Sequence, residues 1–152
     1  MVDMLELVKG YYYDPVTGGS NSIKDVLPAM LARCTMLQSI YSLPVYGTVT
    51  MPSLNFQNHT WLHRETNGVC DPYKQLPKLF DDATEHDHAL LSESNELNNG
   101  AMALTAYGKL QYTQMSDYER EALCTALLKY CELDTLAMVM IYQGWLFMLN
   151  DA

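Results

Sequence analysis

Tyr130 and Asp134 are four residues apart in the stretch Leu127–Val139, which reads Leu-Leu-Lys-Tyr-Cys-Glu-Leu-Asp-Thr-Leu-Ala-Met-Val. If this stretch is helical, the two side chains lie one turn apart on the same face. A carboxylate in this position can bind a divalent metal ion, and a phenol beside it can orient a water molecule. A helix with a half-buried tyrosine and an exposed aspartate has the same spacing, and the spacing alone favours this simpler interpretation.

The helix that would carry this pair has a clear start. Ser116–Glu119 is a full capping box, Ser-x-x-Glu, in which the two side chains bond each other's backbone N–H groups. Two helical segments are predicted from there to the end of the sequence, with a break near Lys129. The run Leu136–Leu149 is 14 residues long and nearly apolar. It is too short to span a bilayer and predicts a core helix, in which Trp145 and Leu146 are expected to be largely buried.

Helices are also predicted in the first part of the chain. Val2–Val8 fits either a strand or a short helix. Ser22, with Asp25 three residues later, is a weak form of the capping box before a predicted helix over Ile23–Leu37. Pro28 within that helix is expected to kink it or to mark a second start.

Residues 42–77 have a different character, since prolines, aromatic residues and short extended stretches replace the helical periodicity. Thr60–Arg64 and Val69–Cys70 predict a hairpin that turns at Asn67-Gly68. We interpret this region as a small hairpin insertion in an α+β fold that is mostly helical. A polar, acidic connector over residues 81–99 then leads to a helix of small residues that begins at Gly100.

The composition bounds the class of protein. A chain of 152 residues with 49% hydrophobic residues predicts a single domain, residues 1–152, with a real core. Its 18 acidic and 9 basic residues give a net charge of −9, which argues for weak or no direct binding of nucleic acid. The four cysteines form no Cys-x-x-Cys pair and no signal peptide precedes them. We therefore expect reduced thiols, a cytoplasmic location and no membrane partner.

Several short motifs follow one another along almost the whole chain. They are Tyr-Tyr-Tyr-Asp-Pro (11–15), Gly-Ser-Asn-Ser-Ile-Lys (19–24), Val-Leu-Pro-Ala (26–29), Tyr-Gly (46–47), Ser-Leu-Asn-Phe (53–56), Asp-Pro-Tyr-Lys-x-Leu-Pro (71–77), Thr-Ala-Tyr (105–107) and the stretch over 127–139. In these motifs the chain resembles the C-terminal part of the prokaryotic family known as domain of unknown function 2779.

The resemblance implies a ribonuclease-H-like exonuclease fold of the DEDDy type, with four acidic residues and a tyrosine. It implies that Tyr130 and Asp134 are the catalytic residues of the third motif and that Asp134 is a metal ligand. The first motif, Asp-x-Glu, and the second acidic motif are expected upstream of Met1. We therefore expect this chain to be a mostly helical remnant of such a domain, corresponding to its back half and lacking a complete metal site.

Histidines offer two other candidate metal sites, and both have a simpler interpretation. His86 and His88 would share one face of a strand, but Asp81–His88 is better interpreted as a solvated acidic loop. His59 and His63 have the spacing of a helical ligand pair, yet the hairpin pattern favours a strand, in which they would lie about 13 Å apart.

Two functions from different classes are consistent with these observations. The first is a truncated exonuclease-like protein that is not an active enzyme as an isolated chain. Mg²⁺ or Mn²⁺ and 3′-5′ exonuclease activity are expected only if another chain supplies the missing acids, because two-metal catalysis needs several converging carboxylates. The second is an acidic binding protein of phage or mobile-element origin that blocks a nucleic-acid-binding partner in an anti-defence role.

In a complete domain of this kind, the C-terminal helices pack on a sheet whose first strands carry the early motifs. If those strands are missing, two helical faces are expected to need another cover. These are the faces of Ile23–Leu31 and Leu136–Leu149, whose large apolar side chains cost roughly 1.5–3 kcal/mol each when left in water. A homodimer or another protein partner would cover them, or the region of residues 45–77 would fold back onto them. The homodimer is the favoured prediction.

Overall fold

The computed structural model of the protein describes residues 3–65, 68–76 and 100–150. This part of the chain is mostly helical, with one two-stranded sheet. It divides into two compact units, Met1–Pro72 with Asp134–Ala152, and Tyr73–Leu133. The mostly helical class expected from the sequence is confirmed. The single domain and the ribonuclease-H-like fold stay predictions.

The chain begins with helix α1, Met4–Tyr11, so the helical alternative for this segment is the correct one. Asp3 caps the helix, because its carboxylate accepts a hydrogen bond from the Leu5 backbone N–H at 2.9 Å. A 3₁₀ turn, Pro15–Thr17, follows the three tyrosines. Its cap is Asp14, whose side chain accepts from the Val16 N–H at 2.9 Å.

Two consecutive helices replace the single predicted helix of residues 23–37. Helix α2 is Ile23–Arg33 and helix α3 is Thr35–Tyr41, and Cys34 lies between them in an extended conformation. The helix runs through Pro28, so the predicted second start at that residue is wrong. The break lies at Cys34 because the Gln38 side-chain amide donates to the Leu31 and Ala32 carbonyls, at 3.0 and 2.9 Å. It thereby satisfies carbonyls that the end of α2 leaves open.

The predicted hairpin is present, but its strands are short. Strand β1 is Arg64–Glu65 and strand β2 is Gly68–Val69, paired antiparallel with Glu65 opposite Gly68. The predicted turn falls partly on residues 66–67, which lie outside the described residues. Residues 60–63 were expected to be strand, and they are irregular here. A 3₁₀ turn, Pro72–Gln75, follows the hairpin.

An aromatic cluster orders the segment before the hairpin and explains why regular pairing stops there. Tyr46 and His59 exchange two backbone hydrogen bonds, at 3.3 and 2.7 Å. Their rings, with those of Phe56 and Trp61, pack at centroid distances of 4.3–5.9 Å. Gly47 is required beside this cluster, since it has φ +80° and a Cβ there would lie 2.1 Å from the Phe56 carbonyl oxygen.

The last two helices are α4, Gly100–Tyr112, and α5, Asp117–Asn150. The predicted capping box starts α5: Glu119 N–H donates to the Ser116 hydroxyl at 3.3 Å, and Ser116 N–H donates to the Glu119 carboxylate at 2.7 Å. The predicted break near Lys129 is wrong. No glycine or proline occurs before Gly144 in this helix, and residues with high helix propensity dominate it.

The core of the first unit lies between α2, α3 and the last part of α5. On α2, Val26, Leu27, Met30 and Leu31 are at most 1% exposed. The expectation that the face of Ile23–Leu31 needs an external partner is therefore wrong, because helices of the same chain cover it. The face of α5 that turns toward this core is equally buried and consists of Leu136, Ala137, Met140, Ile141 and Gly144.

The described residues of the chain leave the opposite side of α5 uncovered. Leu146 is 42% exposed, so its predicted burial is wrong, and Trp145 is half-buried. The apolar run was interpreted as one core helix, but only one of its sides faces the core. Among the helices in the described ranges, none combines the length and the apolar character that a membrane span requires.

The second unit has its own small core. Its buried side chains are Tyr73, Leu76, Ala106, Leu123, Ala126, Tyr130 and Leu133. Tyr73 and Tyr130 form a tilted ring contact with centroids 6.2 Å apart. Arg120 donates to the Leu110 carbonyl at 3.0 Å, which fixes the end of α4 against the start of α5.

Candidate functional site

Lys24 occupies the second position of α2, where a local cap fixes the backbone. The Ser22 hydroxyl accepts from the Lys24 N–H at 3.3 Å, and the Ser20 hydroxyl donates to the Asp25 carboxylate at 2.5 Å. The Lys24 side chain runs into the first unit, and its Nζ is buried.

The ammonium of Lys24 interacts with two carboxylates of the same unit. Burial lowers the pKa of Lys24, and the negative charges of Asp134 and then Asp71 act in the opposite direction. Asp134 lies on α5 and Asp71 directly precedes the 3₁₀ turn at Pro72. The site therefore combines a buried ammonium with two carboxylates from distant parts of the sequence.

Tyr130 is one turn before Asp134 on α5, as the spacing requires. Its side chain is 5% exposed and packs against Tyr73, whereas Asp134 is half-buried. The helix that places both predicted catalytic residues on one face is confirmed. Their catalytic roles stay predictions.

The predicted metal ligand Asp134 does not belong to a preformed metal-binding group in the described part of the chain. There, no three or more His, Cys, Asp or Glu side chains converge as an ion would require. The charge of Asp134 acts instead on a cation, the Lys24 ammonium. These residues alone do not fit the pair of divalent ions that the resemblance implies, since such ions require several carboxylates.

Among the described residues, the candidate pair His59 and His63 forms no metal-binding group either. His59 belongs to the aromatic cluster, with its ring 4.3 Å from that of Trp61 and 5.0 Å from that of Phe56. His86 and His88 lie outside the described residues. The four cysteines are all free, and they range from buried Cys34 to exposed Cys131.

A second charge pair, with a buried carboxylate and a half-exposed guanidinium, lies at the three tyrosines and was not anticipated. Asp14 is 3% exposed and accepts from Arg33 at 2.6 Å (Nε) and 3.1 Å (Nη2). Burial raises the pKa of the neighbouring Tyr12, and the Asp14 charge adds to this effect. The pair connects the 3₁₀ turn to the end of α2, so its role is structural.

A cleft of about 640 Å³ opens between α1, α2 and α5 in the first unit. It is lined by Asp3, Met4, Leu5, Val8, Asn21, Ile23, Val26, Met138 and Ile141. Asp3 is its one titratable side chain and already caps α1. The cleft therefore offers apolar surface but no arrangement of groups for catalysis.

Sequence reasoning missed Lys24 and Asp71 as members of this site. For Lys24 a signal exists, because helical spacing puts it on the same face as Leu27 and Leu31, both of which are fully buried. A lysine on the apolar face of a helix is a candidate for a buried charge. For Asp71 no local signal exists, since only the path of the chain through the hairpin brings it near.

Comparison of the chain with protein-family models, with curated proteins and with solved structures found no match.

Proposed function

We propose that this protein is exonuclease-like, carries the Tyr130–Asp134 motif on α5 and does not hydrolyse nucleic acid as an isolated chain. The observation that carries the proposal is the interaction of Asp134 with the buried ammonium of Lys24. A metal-binding carboxylate must be available to a dication, and an adjacent fixed ammonium repels one.

The position of Tyr130 supports the same proposal. A tyrosine that orients an attacking water must present its hydroxyl to that water and to the substrate. Tyr130 is 5% exposed and its ring packs on Tyr73 in the core of the second unit. In this arrangement the tyrosine contributes mainly to packing. Activity would require other chains to supply carboxylates and to rearrange this site around Mg²⁺ or Mn²⁺.

Manganese binding followed by calorimetry tests the role of Lys24. The wild-type chain is expected to show no binding at millimolar Mn²⁺. Lys24→Met, which keeps most of the side-chain volume, removes the repulsion and leaves Asp71 and Asp134 available, so weak binding should appear. Adding Asp134→Asn to this variant should abolish the binding.

Lys9→Met is the matched control, because Lys9 is an exposed lysine whose partner is Glu6, 2.9 Å away. It should leave manganese binding unchanged, and circular dichroism should confirm that each variant is folded. Wild-type protein that binds Mn²⁺ through Asp134 would contradict the proposal. So would a folded Lys24→Met variant whose manganese binding equals that of the wild type.

The proposed partner is a protein and not a nucleic acid. The net charge of −9 disfavours contact with phosphates, and several large apolar side chains of α5 are exposed. The four free cysteines support a reducing location such as the cytoplasm.

The same charge and exposed apolar surface favour a second candidate function, an acidic inhibitor that occupies the nucleic-acid site of a basic protein. An inhibitor should displace labelled DNA from a basic DNA-binding protein, and its effect should weaken as salt rises. It should also be insensitive to Asp134→Asn, which separates it from the exonuclease-like proposal.

A further inference from the structure

The last part of α5 carries an exposed apolar stripe with regular spacing. Val139, Tyr142, Leu146 and Leu149 follow one another at intervals of three, four and three residues, and we call them the outer stripe. They are 43, 54, 42 and 76% exposed. Intervals of three and four place side chains along one seam of a helix, which is the pattern that packs against another helix.

The helix is apolar on its inner side as well. Met140 and Ile141 are at most 2% exposed, and they pack in the core of the first unit. A helix that is apolar all round is normally buried on all sides. The outer stripe is therefore a surface that the described residues of this chain leave without a cover.

The distribution of charge identifies the occupant. The whole chain has a net charge of −9, yet residues 135–150 contain no Asp, Glu, Lys or Arg. Two copies of this protein repel each other over most of their surface, and an uncharged helix face is where they can approach without that cost. A basic partner helix, by contrast, would find no carboxylate on the stripe to pair with.

We propose that the outer stripe is a homodimer interface in which the α5 helices of two copies pack on each other about a two-fold axis. The inference specifies the partner in the proposed function, and the exonuclease-like part of that function can fail without affecting it. An antiparallel pairing is favoured, because it places the positive end of each helix dipole beside the negative end of the other. In a two-fold arrangement each stripe contacts the same stripe of the other copy.

The area of the stripe limits the strength of this dimer. Four large side chains, each about half exposed, correspond to roughly 300–400 Å² of apolar surface per copy. The total is therefore about 700 Å², below the roughly 1,200 Å² at which stable complexes begin. We expect a reversible dimer with a dissociation constant on the order of 10–100 µM.

Sedimentation equilibrium of the full chain between roughly 5 and 300 µM tests the proposal. The average mass should rise with concentration toward twice the monomer mass. Leu146→Asp and Tyr142→Asp place a charge in the stripe and should weaken the dimer at least about tenfold. Leu149→Asp is the variant least able to disturb folding, since Leu149 is 76% exposed, and it should have the same effect.

Met148→Asp is the matched control. Met148 is 41% exposed, almost the same as Leu146, but two residues along the helix it projects to a different side. It should leave the dimer intact. A wild-type chain that stays monomeric at the highest concentration would overturn the proposal, as would a dimer that Met148→Asp weakens as much as Leu146→Asp. Wild-type protein that sediments with neutral phospholipid vesicles, when Leu149→Asp does not, would assign the stripe to a membrane surface instead.

Discussion

Gly144 of α5 lies directly against Met30 of α2. A Cβ built on Gly144 would be 2.5 Å from the Met30 Sδ, 2.7 Å from its Cγ and 3.3 Å from the Leu37 Cδ1. Met30 and Leu37 are both fully buried, so neither can move into solvent to make room. The glycine therefore allows α5 to approach α2 and α3 closely, which sets the core of the first unit.

Gly144→Ala tests this close approach. Alanine favours a helix over glycine by about 1 kcal/mol, whereas an added methyl in a filled core costs roughly 1–3 kcal/mol. We expect a net loss of about 1 kcal/mol in the free energy of unfolding, measured by urea titration. Gly108→Ala is the control in α4, where a Cβ meets nothing within 4 Å, and it should stabilise. Equal stabilisation by both substitutions would contradict the packing described.

Arg33→Met tests the ion pair that holds the 3₁₀ turn to α2. It leaves Asp14, which is 3% exposed, without its charged partner. Removing one member of a fully buried pair costs 3–5 kcal/mol, but the Arg33 side chain is 53% exposed, so we expect roughly 1–3 kcal/mol. Lys9→Met breaks the exposed pair with Glu6 and should change the stability far less. If both substitutions cause the same small loss in the free energy of unfolding, the ion pair between Arg33 and Asp14 is contradicted.

Tyr41→Phe should change how stability depends on alkaline pH. The Tyr41 hydroxyl donates to Gln143 at 3.0 Å, and burial raises the pKa of Tyr41 above its usual 10.0. A raised folded pKa means that the contribution of Tyr41 is complete below pH 10.0 and is lost as the pH rises through the folded value. At neutral pH the free energy of unfolding of the wild type should exceed that of Tyr41→Phe by about 1 kcal/mol. The difference should shrink above pH 10.

Urea titrations from about pH 7 to about pH 11 measure this difference. Burial raises the pKa of Tyr12 and lowers that of Lys24, so both groups also titrate at alkaline pH. Since both are present in the wild type and in Tyr41→Phe, their effects cancel in the difference. Tyr11→Phe is the control, because Tyr11 is 89% exposed. Stability curves of wild type and Tyr41→Phe that stay parallel up to pH 11 would refute the effect.

Local signals in the sequence predicted local structure well. The capping box of Ser116 and Glu119, the cap at Ser22 and the hairpin all occur, because each depends on a few neighbouring residues. Pro28 was expected to kink the predicted helix or to mark a second start, whereas the break between α2 and α3 lies at Cys34. Its cause is the Gln38 side chain, which reaches back to two carbonyls of α2, and no periodicity shows such a contact.

Long-range relationships could be predicted only in part. The Tyr130–Asp134 spacing follows from one helix, but the charge that acts on Asp134 comes from Lys24, on another helix more than a hundred residues earlier. Leu146 was expected to be buried because it belongs to an apolar run, which indicates that a helix packs against other elements. Such a run does not indicate on which side of the helix those elements lie. The structure places those elements on the opposite side, at Gly144.

The most direct test of the central claim is a nuclease assay on the purified chain. Labelled single-stranded DNA and RNA are incubated with Mg²⁺ or Mn²⁺, and the wild type is compared with Asp134→Asn and with Asp117→Asn, an exposed aspartate at the start of the same helix. Because the charge of Asp134 interacts with the Lys24 ammonium, we predict no hydrolysis above background by any of the three proteins. Hydrolysis by the wild type that Asp134→Asn abolishes and Asp117→Asn retains would contradict the account, since it would show that the chain assembles a working metal site.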